Sequence, residues 1–198
     1  MTLELWNTFA TFGTFIVIAA TAIAALVQLR HTRGSNQIAA VQELRDAQET
    51  PQFTAADHWV ATELASKIKD PEFRYQVVHR ADRTAENQML IARVTEVGNH
   101  YENIGSLIKR GLIDRDIALD LWSDVAVSRW GSLASYNAIT REAWGSVIWE
   151  NFEYFVVLSQ DWLASHPNGD YPPGVRRIDL KNEWREADRQ YAASRSLA

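Results

Sequence analysis

Hydrophobic and polar positions divide the chain into two unlike parts. Leu5 to Leu29 is an unbroken run of 25 uncharged residues, bounded by Glu4 before it and Arg30 after it. At about 1.5 Å per residue, a helix of that length reaches roughly 37 Å, enough to cross a ~30 Å hydrocarbon core with some tilt. Between Phe12 and Val27 only threonines interrupt the apolar residues, and their hydroxyls can bond back to helix carbonyls. The pattern predicts a single transmembrane anchor over residues 1–33, with Leu5 and Leu29 as its limits. A cleaved signal peptide is the competing reading, since Ala22-Ile23-Ala24 offers a small-x-small site. A signal peptide, however, carries its positive charge before the apolar core. Here Glu4 stands there, and Arg30, His31 and Arg33 follow the core. By the positive-inside rule the N-terminus lies outside and the C-terminal body is cytoplasmic, at a cell inner membrane. Trp6 suits an interfacial position. Ala20 with Ala24, and Thr21 with Ala25, place small residues four apart, a spacing that permits close helix packing.

Beyond the anchor the periodicity is helical throughout, and no segment sustains period-two alternation. The expected fold class is therefore all-α, a single transmembrane helix followed by a helical bundle over 34–165. A loop and a polar C-terminal helix complete the chain at 166–198. Residues 35–49 should prolong the anchor as a helix until Pro51 stops it. Thr54 is the expected cap of the next helix, and Asp70-Pro71-Glu72 marks another start. Leu90, Val94, Val97, Tyr101, Ile104 and Ile108 alternate in steps of four and three, a narrow stripe on one helix of about 25 residues. Gly111 fits the C-cap of that helix and Asp114 the N-cap of its successor. The successor, about 114–136, is expected to bury Ile117, Leu121, Trp122, Val125 and Trp130. A helix from about 139 to 164 is apolar nearly all round, as a central bundle helix would be. Pro172-Pro173-Gly174 lies in a loop before a final helix over about 178–194, docked by Ile178, Leu180 and Trp184.

Composition narrows the chemistry. The absence of cysteine excludes disulfides, a thiol nucleophile and thiolate metal sites. A net charge of −5 argues against nucleic acid as a partner. The glycines never cluster into a phosphate-binding loop, and no nucleophile elbow is present. No catalytic residue, cofactor site or metal site is therefore assigned. Glu96 and His100, four apart on one helix, could supply two metal ligands, but a partly exposed helical pair is the preferred reading.

Two clusters carry the remaining interest. Gly98 and Gly105 share one edge of a helix with Glu102 between them, at a helical cost of about 1 kcal/mol each relative to alanine. That cost fits a close approach of another backbone. Glu102 would then be partly buried and need a partner, with Arg129 and Arg141 the candidates for a structural ion pair. The catalytic alternative makes Glu102 a general base beside Tyr101 or His100. In the second cluster, Glu150 and Glu153 could join Glu102 in a carboxylate-based metal- or ligand-binding bundle, or simply edge a buried aromatic face.

Four segments together resemble an uncharacterised bacterial family of short proteins. They are Val27-Gln28-Leu29-Arg30, Ser35-Asn36-Gln37, Tyr101-Glu102 leading through Gly105 to Gly111-Leu112-Ile113-Asp114, and Trp149 with Phe152-Glu153. The resemblance implies an N-terminal membrane helix and an all-helical cytoplasmic domain, and it carries over no catalytic residues. The expected partners are the lipid bilayer and either another protein or a second copy in a homo-oligomer. Anionic-lipid sensing finds only Arg30, His31 and Arg33 near the membrane, below the usual cluster of four or more basic residues.

Overall fold

The computed structural model describes residues 3–195, and for residues 3–5 and 7–10 it describes the backbone alone. The side chain of Leu5, the outer limit of the expected anchor, lies outside the described residues. Every regular element in the described chain is helical. The first, α1 (Leu3–Gln48), is one uninterrupted helix of 46 residues, roughly 69 Å long at 1.5 Å per residue. Its first half is long and apolar enough to cross a membrane, with a mean hydropathy of 2.2 and no part of the apolar window buried by protein. The Thr21 hydroxyl donates to the Val17 carbonyl at 2.8 Å, so its polarity is satisfied inside the helix. The second half of α1 meets the body through Ala40, Val41 and the buried Leu44. At its end Gln48 accepts from the Trp122 indole at 2.7 Å.

Pro51 stops α1 and opens α2 (Pro51–Thr62), because a missing N–H costs nothing at the first helical position. The cap is Thr50, whose hydroxyl accepts from Phe53 N; the expected cap, Thr54, instead bonds back to the Thr50 carbonyl. A short turn, α3 (Leu64–Lys67), leads to α4 (Pro71–Val78), capped by Asp70. The long helix α5 (Ala85–Lys109) buries the predicted stripe from Val94 to Ile108. It ends in a Schellman motif in which Gly111, at φ +65°, donates to Ile108 and Leu112 donates to Leu107. Asp114 then caps α6 (Arg115–Trp144).

Here the structure departs from the sequence pattern twice. The expected helix 114–136 runs on to Trp144, and the expected helix 139–164 is broken: α7 spans Glu150–Ser165. Gly145, at φ +97°, ends α6, and a turn at 145–149 redirects the chain. The second departure is rotational. Ile117, Leu121 and Val125 are exposed, while α6 buries Ala118, Leu119, Trp122, Ser123 and Ala126. Trp122 is buried as expected and Trp130 is half-buried. Steps of four alone advance 40° per step around a helix, so that trio leaves the buried face. The core lies where α5, α6 and α7 meet, with Tyr101 stacked on Phe152 and Trp130 edge-on to the same ring. The second and fourth helices close it with Trp59, Val60, Phe73 and Val77.

Residues from Asn168 onward form a second compact unit. It contains α8 (Arg185–Arg195), which starts later than the expected 178. Ile178, Leu180 and Trp184, the residues expected to dock the final helix, are exposed.

Candidate functional site

The residues singled out in sequence converge on the N-terminus of α7. A helix start leaves N–H groups unpaired and carries partial positive charge. Trp149, the residue in the N-cap position, sits in the left-handed region at φ 52° and makes no side-chain capping bond. Glu102, on α5, supplies the missing acceptor. Its carboxylate accepts from Asn151 Nδ2 at 2.6 Å and from Phe152 N at 2.8 Å. Glu102 is thus a cap delivered from another helix. Neither Arg129 nor Arg141 is its partner, because both guanidinium groups are held elsewhere.

Arg141 holds the turn between α6 and α7. It donates to the Ile148 carbonyl at 2.9 Å, to the Trp149 carbonyl at 3.3 Å and to Glu153 at 2.8 Å. Arg129 makes a two-pronged pair with Asp57 of α2, including Nη2 to Oδ2 at 2.7 Å. Both side chains are about four-fifths buried, at 17% and 21% exposed. Asp57 carried no signal in the sequence, since a single acid on an amphipathic helix is ordinary. Only the packing of α2 against α6 brings it to Arg129.

The two glycines explain how close the helices come. A Cβ on Gly105 would stand 1.9 Å from the Asn151 carbonyl oxygen, and one on Gly98 would stand 2.1 Å from the Trp149 ring. Trp149 lies across Gly98 and donates its indole N–H to Asn99 at 2.9 Å. Glycine at both positions is what allows α5 and α7 to seat.

The three carboxylates are engaged separately. Glu102 caps α7, Glu150 faces Lys109 at 3.6 Å, and Glu153 pairs with Arg141. Glu96 accepts from Gln52 at 3.1 Å. Among the described residues no group of three or more His, Asp or Glu is placed to hold a metal ion. His100 is buried between Phe53 and Tyr101, and its Nε2 has no hydrogen-bond partner. Burial lowers its pKa to about 4, outweighing the opposing charge of Asp57.

One surface feature was not legible in the sequence. Between α1 and the start of α6 runs a groove of about 350 Å³, lined by Ile38, Val41, Arg45, Asp114 and Ile117 among others. Leu121 and Val125 follow Ile117 at intervals of four along α6 and are also exposed.

The site thus stands in an all-helical body, joined to a long apolar helix, in which Glu102, Glu153, Arg129 and Arg141 are engaged in capping and pairing. The model of a family described as a domain of unknown function (DUF4760) matches residues 15–159, and the chain belongs to that family. No curated protein and no solved structure matches it.

Proposed function

We propose that the protein is a single-pass membrane module of the cell inner membrane, with its N-terminus outside and its body in the cytoplasm. The body acts by binding a protein partner or a second copy of itself. The observation that carries this reading is the division of α1. Its apolar half has no protein cover, and its polar half is built into the core through Leu44. An uncovered apolar helix of that length finds its burial in lipid. Arg30 and Arg33 at the body side support the orientation. The groove beside Ile38 and the exposed stripe of α6 supply an apolar surface of the kind a helix from another chain fits.

The cysteine-free chain makes the test direct. A Leu121→Cys variant, expressed in membranes and treated with a short thiol-to-amine cross-linker, should give a defined dimer or one defined adduct. Adding Ile117→Lys and Val125→Lys should abolish it. A product that is monomeric throughout, with no adduct and a monomer's mass in detergent, overturns the interaction reading. Release of the chain by alkaline carbonate overturns the anchor.

A further inference from the structure

We infer that the loop between α5 and α6 is a second membrane contact, a docking surface for anionic lipid headgroups that holds the body against the bilayer. The inference rests on the proposed insertion of α1. It begins with depth. Because α1 is continuous, position along it is set by residue number, and Arg33 lies four residues, about 6 Å, beyond the last apolar residue Leu29. The hydrocarbon core is about 30 Å thick and the whole bilayer about 40–45 Å, so Arg33 falls within the headgroup layer.

The fold brings the α5–α6 loop to that same depth. The Arg33 guanidinium donates to the Gly111 carbonyl at 3.4 Å, across 78 positions of sequence. Gly111 turns the chain there, and the next residue, Leu112, is an apolar side chain left 53% exposed. Basic residues flank it on both sides. Lys109 and Arg110 precede Leu112, Arg115 follows it, and all three are exposed. Arg30 stands three residues before Arg33 on the same face of α1. The carboxylates in this region cancel only part of the charge. Asp114 caps α6 from an exposed position, Asp116 pairs with Arg115 at 3.2 Å, and Glu150 shares Lys109 at 3.6 Å. Arg30, Arg33 and Arg110 remain as an excess in a chain whose net charge is −5. With Arg110, Arg115 and Lys109 added, five basic side chains gather here against three carboxylates, a larger basic cluster than the juxtamembrane sequence alone supplies. An exposed leucine ringed by cations is the arrangement that enters an anionic interface, with the side chain in the acyl boundary and the charges at the phosphates.

The test uses the full chain, labelled with an environment-sensitive fluorophore at a single introduced cysteine. It is reconstituted in vesicles of phosphatidylcholine or of equal parts phosphatidylcholine and phosphatidylserine. A label at Leu112→Cys should shift to the blue and be quenched by lipid-borne nitroxides in the anionic vesicles, and markedly less in the neutral ones. A label at Asp161→Cys, on the exposed side of α7, should remain aqueous in both. Arg110→Gln with Arg115→Gln should reduce the docked-to-free ratio about fivefold per charge removed, the equivalent of about 1 kcal/mol each. Unchanged unfolding midpoints would show that the double variant is folded. A label at Ala20→Cys reads the anchor independently. If it is quenched while Leu112→Cys stays aqueous, the docking inference fails and the anchor stands. If Ala20→Cys is itself aqueous, both fail. Equal quenching of Leu112→Cys in the two lipids overturns the recognition of anionic headgroups.

Discussion

Glu102 shows how one side chain can decide where a helix begins. Trp149 holds a left-handed backbone conformation at a cost of order 1–2 kcal/mol and offers α7 no cap. The carboxylate of Glu102 compensates from the neighbouring helix, bonding Phe152 N where the helix dipole favours negative charge. Glu102→Ala should therefore destabilise the fold by about 1–3 kcal/mol, since it strands a half-buried N–H and the Asn151 amide. Denaturant midpoints of the purified protein measure this, and an unchanged midpoint would remove Glu102 from the capping role. The glycines give a sharper contrast. Gly105→Ala would press a methyl into the Asn151 carbonyl and should cost about 3 kcal/mol or more. Gly131→Ala, mid-helix in α6 with nothing within 4 Å, should stabilise by about 0.5–1 kcal/mol. Similar effects at the two positions would rule out the close approach of α5 and α7.

At the scale of elements, legibility depended on whether burial or local chemistry set the pattern. The α5 stripe was readable because its alternating steps of four and three track a single face, and its ends were readable because Gly111 and Asp114 have well-defined terminal roles. The α6–α7 break was not. It depends on Gly145 together with Arg141 reaching the Ile148 and Trp149 carbonyls, and contacts across a turn leave no periodic trace. The buried face of α6 departs from the hydrophobic pattern for a related reason. Ala118, Ser123 and Ala126 are small, so they weigh little in a hydrophobic pattern, yet they are the residues that admit a neighbouring helix. This yields a paired prediction. Leu119→Ala should cost about 2–5 kcal/mol, while Leu121→Lys, two positions on, should change stability by no more than about 0.5 kcal/mol. A large loss at Leu121→Lys in the isolated monomer would mean that α6 is rotated from the orientation described.

For the whole molecule, the polar groups enclosed by the bundle tie its stability to pH. His100 is buried beside Phe53 with an unpaired Nε2, and its pKa is lowered to about 4 from an ordinary 6.5. The unfolded chain takes up a proton as pH falls through 6.5, whereas the folded chain refuses it until about 4. Within that window the unfolded state binds more protons, so stability rises with pH and is lost progressively on acidification. Burial lowers the pKa, and the charge of Asp57 opposes the shift without overcoming it. Between pH 7 and pH 5 the full chain in detergent should lose about 2 kcal/mol of unfolding free energy from this group. His100→Leu should abolish most of that loss, since leucine fills the apolar site without a titrating nitrogen. A pH slope that survives His100→Leu would place the proton uptake on another group. Near-neutral pH keeps His100 unprotonated, so under those conditions the bundle is a firm support at the base of α1.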